Sequence, residues 1–300
     1  MLKPETPAEQ LFFVTARLQC QRGTENWSGT GFFVFVPMSN GTSQALLITN
    51  RHVLSPPGVG DAQLVQIITP GASLNDQTIP DFGQKSIAVA QSPKFVAHPD
   101  TTVDVAVMSI HGLPLLGTHQ PFIKTIPVDM LINEPVLAQL DAIEQVTFIG
   151  YPNALHDTVN MTPIARRGWT ATPISLDYDG QPKFLIDASV FPGSSGSPVL
   201  VVNTGGYTPR TGGLVMAGRI ILLGIVSAVY QQAAKGELVP ALNLPKVTVH
   251  QAMNLGIVYK ARSILEAIDH FLSVNGLSRQ INVSETPVSG PVDPPEISPA

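Results

Sequence analysis

The chain is written as a succession of short apolar runs, rich in Val, Ile and Phe, each closed by turn residues. In order they are 11–20, 31–36, 45–50, 63–69, 86–90, 94–98 and 103–110. After a proline-bearing stretch come 136–140, 145–150, 184–189, 197–202, 221–229, 246–250 and 255–261. Runs this short, at this spacing, encode the strands of a sandwich or barrel, with 27 prolines and 25 glycines as punctuation. No helical pattern alternates with them, which argues against a parallel βαβ sheet. Helical periodicity is convincing only over 261–276, where Ile264, Leu265, Ile268, Phe271 and Leu272 share a face and Gly276 supplies a stop. The expected fold class is all-β with one C-terminal helix.

At 300 residues the chain exceeds one minimal domain, and 44% hydrophobic against 13% charged residues excludes a disordered polymer. The weakly patterned segment 113–135 separates the two groups of runs. It is the expected linker between an N-terminal unit, 10–112, and a C-terminal unit, 136–276. Residues 283–300 are proline-rich with almost no large apolar side chains, so that tail is expected to be disordered.

A net charge of −5 offers no basic field for nucleic acid or an anionic membrane surface, so neither is an expected partner. The most apolar stretch, 220–229, is far shorter than the roughly 18 residues a membrane span needs. The first residues lack the basic start and cleavage site of a signal peptide, so the expected location is cytoplasmic. The single cysteine, Cys20, excludes an internal disulfide and reads as a small buried hydrophobe. The seven histidines show no metal-ligand spacing, so neither a metal nor another cofactor is expected.

Three segments carry chemistry. In Phe191-Pro192-Gly193-Ser194-Ser195-Gly196-Ser197-Pro198, glycines around a serine permit a tight turn that exposes one hydroxyl and gathers backbone N–H groups. Such donors stabilise a tetrahedral oxyanion by about 2.7–4 kcal/mol each. A plain hairpin turn between strands 184–189 and 197–202 is the bland alternative. In Thr49-Asn50-Arg51-His52-Val53-Leu54, an apolar strand delivers His52 at its end, and a serine hydroxyl needs a base of that kind. Six other histidines make a lone one uninformative. In Thr101-Thr102-Val103-Asp104-Val105-Ala106, Asp104 enters an apolar run, where a carboxylate needs a partner such as an imidazole N–H. Asp100 is its local rival.

Together, TNRHVL, DVAV and PGSSGSP in the order His, Asp, Ser resemble the trypsin-like serine peptidases of the chymotrypsin fold. The likeness is greatest to the bacterial branch that includes the HtrA-type protease domains. Gly29-Thr30-Gly31-Phe32 resembles that family's glycine-rich strand, and Phe148-Ile149-Gly150-Tyr151-Pro152 its "GYP" segment. Gly224-Ile225-Val226-Ser227 resembles the strand that pairs with substrate, and Gly256-Ile257-Val258-Tyr259 before a helix resembles the family's ending. The resemblance covers about 10–275, and no peptide-binding domain is expected after 276.

The resemblance implies two antiparallel six-stranded β-barrels with the site in the cleft between them. It implies a catalytic triad of His52, Asp104 and Ser195, an oxyanion hole of the Gly193 and Ser195 amides, and Ser227 beside Asp104. The substrate is then a peptide or protein. The specificity pocket would lie at Ser189, Ser227, Val229 and Gly256. With no acidic residue at its base and Val229 narrowing it, small or aliphatic side chains are expected before the scissile bond. Digestive members carry an aspartate where this chain has Ser194, so activation by N-terminal cutting is not expected. The competing reading is a catalytically silent binding or scaffold protein on the same fold. An esterase is disfavoured because Gly-x-Ser-x-Gly followed by a helix is absent.

Overall fold

The computed structural model describes residues 3–131, 133–234 and 249–280. The expected disordered tail at 283–300 lies outside these residues, as does most of the run 246–250.

The first half forms one nine-stranded sheet. Its strands are β1 (Thr15–Arg22), β2 (Glu25–Pro37), β3 (Ser43–Thr49), β4 (Leu64–Ala72), β5 (Pro80–Gln91), β6 (Phe95–Ala97), β7 (Ala106–Ser109), β8 (Leu115–Leu116) and β9 (Ile126–Pro127). The path runs β6-β7-β3-β2-β1-β4-β5-β8, with β9 lying parallel on β2. The second half is a closed barrel of β10 (Gln145–Gly150), β11 (Ile164–Thr170), β12 (Lys183–Asp187), β13 (Pro198–Asn203), β14 (Arg219–Ala234) and β15 (Val249–Lys260). The fold is chymotrypsin-like and all-β, with the helix Ala261–Val274 at its end.

β2 shows how the halves are joined. Thr30 to Val34 are buried without alternation, because each face of the strand meets a core. Phe33 faces Leu18, Leu47 and Leu54 inside the first sheet. Phe32 and Val34 face a separate cluster that takes Ile149, Leu200 and Leu222 from the second barrel and Ile264, Ile268 and Leu272 from the helix. A third cluster, with Phe148, Phe184 and Leu223, fills the second barrel. The helix buries the face that its periodicity marks, with Leu265 half-buried at the margin.

Two local expectations need correction. The run 136–140 is not a strand: Glu134–Leu137 is one helical turn. Pro135 suits a first turn, and the Asn133 side chain accepts from the Val136 N–H at 3.1 Å. Conversely, β11 escaped the reading of apolar runs. Its outer face is solvated, with Ala165, Arg167 and Trp169 exposed, so no such run marks it. The segment 113–135 is also sewn into the first sheet: β8 pairs with β5, and β9 takes the edge of β2 where β1 has ended.

Candidate active site

β3 ends at Thr49, and the one-turn helix Arg51–Leu54 carries His52 away from the sheet. Asn50 stands at the helix start, but its side chain does not cap the helix. It donates instead to the Asp104 main-chain carbonyl at 2.6 Å, tying the helix to the turn before β7.

Asp104 lies in that turn, just ahead of the strand rather than inside it. Three donors meet its carboxylate. Oδ1 accepts the His52 backbone N–H at 3.0 Å. Oδ2 accepts from His52 Nδ1 and from the Ser227 hydroxyl, both at 2.6 Å. Facing this carboxylate, the imidazole is held in one tautomer: Nδ1 carries the hydrogen and Nε2 keeps a lone pair. The rival Asp100 is closed on its own turn, accepting from the Thr102 N–H at 2.9 Å and hydroxyl at 2.8 Å.

Ser195 comes from the loop before β13. Gly193 and Gly196 have φ of +85° and +91°, a region open to glycine and strained for other residues. At Gly196 space demands glycine as well, since a Cβ would overlap the Thr30 carbonyl oxygen. The loop is closed by Ser194 N–H to Phe191 O and Ser197 N–H to Ser194 O, each 3.0 Å. Its link to β14 is reciprocal, Gly196 N–H to Val226 O and Val226 N–H to Ser197 O, each 2.9 Å. Among the described residues, no acceptor meets the N–H of Gly193 or of Ser195. The Ser195 hydroxyl donates to the Ser227 carbonyl at 2.8 Å, not to His52. Ser194, 1% exposed, buries a hydroxyl without a partner among the described residues.

Of the expected pocket residues, Ser227 is joined to both Asp104 and Ser195. Gly256 pairs with Val229 on one side and Ile186 on the other, and a Cβ there would stand 2.7 Å from Val190. The Val229 side chain lies outside the described residues. Ser189 is half-buried just beyond β12.

Two residues that support the Asp104 segment went unassigned from sequence. One is Asn50, a polar side chain with no apolar pattern to explain it. The other is Tyr259, whose hydroxyl donates to the Thr102 carbonyl at 2.9 Å and braces the Asp104 turn from the second barrel. Burial, and then the charge of Asp104, push its phenol above the ordinary range.

The sequence profile of the trypsin-like peptidase domain matches residues 29–206, a span from β2 to just past β13. The chain belongs to the trypsin-like peptidase family. No curated protein matches it by sequence. Among solved structures, the trypsin-like peptidase is similar to a thermostable serine protease from an extremophilic microorganism. Identity is 15% over 87% of this chain and 97% of that one, with a TM-score of 0.45. It is similar to the HtrA-type protease AlgW crystallised with a tripeptide, at 15% identity over 87% of this chain and TM-score 0.46, and spans 60% of that protein. Similarity extends to the protease Anisep from Arthrobacter nicotinovorans, at 14% identity over 83% of this chain and 91% of that one, TM-score 0.45. In this trypsin-like peptidase, β14 lies beyond the matched span yet sets Ser227 against both Asp104 and Ser195.

Proposed function

We propose that the chain is a serine endopeptidase working through His52, Asp104 and Ser195. The observation that carries this is the Asp104 carboxylate, shared at 2.6 Å between His52 Nδ1 and the hydroxyl of Ser227. A carboxylate so placed presents His52 Nε2 as an acceptor and stabilises the imidazolium that forms.

Ser195 leaves the Ser227 carbonyl, gives its proton to His52 Nε2 and attacks the scissile carbonyl. The tetrahedral oxyanion is met by the N–H groups of Gly193 and Ser195, which have no other acceptor among the described residues. Collapse expels the amine, which takes the proton back from His52, and leaves an ester on Ser195. Water, deprotonated by His52, attacks that ester, and the second collapse releases the acid while Ser195 Oγ takes the proton back from His52. Asp104 remains a carboxylate throughout.

Small or aliphatic side chains before the scissile bond fit the absence of a charge at Ser189. The test is a fluorophosphonate probe followed by a mixed peptide library, on the wild type and on Ser195→Ala. Labelling and cleavage confined to the wild type support the reading, and the cut sites report the pocket. A folded wild type that neither labels nor cleaves points to the silent scaffold instead.

A further inference from the structure

Thr30 is fully buried on β2, between two glycines, and four hydrogen bonds meet on it. Its N–H donates to the Ser195 carbonyl at 2.9 Å. Its hydroxyl donates to the Gly193 carbonyl at 2.8 Å and accepts from the Tyr151 N–H at 3.1 Å. Its own carbonyl accepts from the Thr49 hydroxyl at 2.7 Å. One residue of the first sheet therefore grips the nucleophile loop of the second barrel at two carbonyls.

The two remaining carbonyls of the loop are also taken. The Asn153 N–H donates to Pro192 O at 2.6 Å, and the Ser197 N–H to Ser194 O at 3.0 Å. In a trans peptide the C=O and the following N–H point in opposite directions. Binding Pro192 O therefore aims the Gly193 N–H the other way, and binding Ser194 O does the same for the Ser195 N–H. These are the two amides without an internal acceptor among the described residues. Fixing Gly193 O and Ser195 O sets the torsions on either side of each.

The hydroxyl of Thr30 is the hinge of this arrangement. The donor from Tyr151 occupies a lone pair, which turns the hydroxyl hydrogen toward Gly193 O. Tyr151 also opens the turn that presents the Asn153 N–H, a turn with left-handed backbone at Asn153 and Ala154 (φ +48° and +59°). Such strain persists only when its surroundings hold it. The loop has no ionic anchor of its own, because Ser194 is uncharged and its hydroxyl unpartnered among the described residues.

We propose that Thr30 is a positioning residue of the oxyanion hole, its hydroxyl holding the Gly193–Ser195 amides in the geometry that receives the tetrahedral intermediate. This rests on the reading of Ser195 as the nucleophile.

The experiment compares wild type, Thr30→Val, Thr30→Ser and Ser195→Ala, with the fold checked by circular dichroism at 20 °C. Removing one oxyanion donor outright costs about 10²–10³ in kcat. Loosening two donors without removing either is expected to lower kcat about 10–100-fold in Thr30→Val. KM should stay within about twofold and the pH profile unchanged, because His52 and Asp104 are untouched. Affinity for a peptide boronate, which forms the tetrahedral adduct, should fall by the same factor as kcat/KM, while binding of a product peptide holds. Thr30→Ser keeps the hydroxyl and should recover activity to within about threefold of wild type.

A Thr30→Val enzyme with wild-type kcat and boronate affinity overturns the proposal and leaves the nucleophile reading standing. A valine variant that does not fold also overturns it, by making the hydroxyl a determinant of the fold. A folded wild type that no fluorophosphonate labels fails earlier, at Ser195 itself.

Discussion

Ser195 and Ser227 are bonded to one another: the Ser195 hydroxyl donates to the Ser227 carbonyl at 2.8 Å, while the Ser227 hydroxyl donates to Asp104 at 2.6 Å. Ser227 thus touches both ends of the proposed triad with two different groups. Ser227→Ala keeps the carbonyl and removes the donor to the carboxylate. Hydrogen bonds to charged groups are worth about 1.5–3 kcal/mol, so steady-state kinetics should show kcat about 10–100-fold lower with KM little changed. An unaltered kcat would remove Ser227 from the proposed mechanism.

Asp104→Asn should be far more damaging. An amide donor opposite His52 Nδ1 forces the hydrogen onto Nε2, the atom that must accept the serine proton. The expected loss in kcat is about 10⁴-fold, with the melting temperature as the control for folding. Hydrolysis within a hundredfold of wild type would show that the carboxylate does not set the tautomer.

Gly196→Ala tests the loop through stability. A methyl group there overlaps the Thr30 carbonyl at a φ of +91°, so the backbone must shift. A cost above about 3 kcal/mol is expected, read as an earlier midpoint in urea unfolding. A variant with the wild-type midpoint would contradict this packing.

Cys20 gives a dependence on pH. The thiol is 0% exposed, and burial pushes its pKa up from 9.0 to about 12. The folded protein should therefore leave a disulfide reagent unconsumed at pH 8, and the denatured chain should consume one equivalent. The neutral thiol's contribution to stability is full below the unfolded value near 9 and is lost as pH rises from there toward about 12. Over that range the stability of wild type should fall more steeply than that of Cys20→Ala. Parallel curves would place the thiol in contact with water.

The strands of this chain were legible wherever both faces, or one whole face, are apolar. β2, β10 and β13 announce themselves by continuous runs, while β11 does not, because Arg167 and Trp169 face water. The run 136–140 looks like a strand because apolar content alone does not distinguish a half-buried helical turn, and Asn133 with Pro135 decides it. The His52 and Ser195 segments carry local chemistry in their neighbours, and Asp104 prevails over Asp100 once the turn shows which carboxylate is free to face His52. Thr30, Asn50 and Tyr259 stayed hidden for a different reason. Each acts on a backbone carbonyl far away in sequence, Gly193, Asp104 and Thr102 respectively, and a carbonyl leaves no trace in residue type.

The cluster that takes Phe32 and Val34 from the first sheet, Leu222 from the second barrel and Leu272 from the terminal helix also sets an order of events during synthesis. His52 and Asp104 leave the ribosome long before Ser195, and the cluster is closed only by residues near the end of the helix. A nascent chain cannot finish this core, or dock the halves that bring the three side chains together, until residue 272 is out.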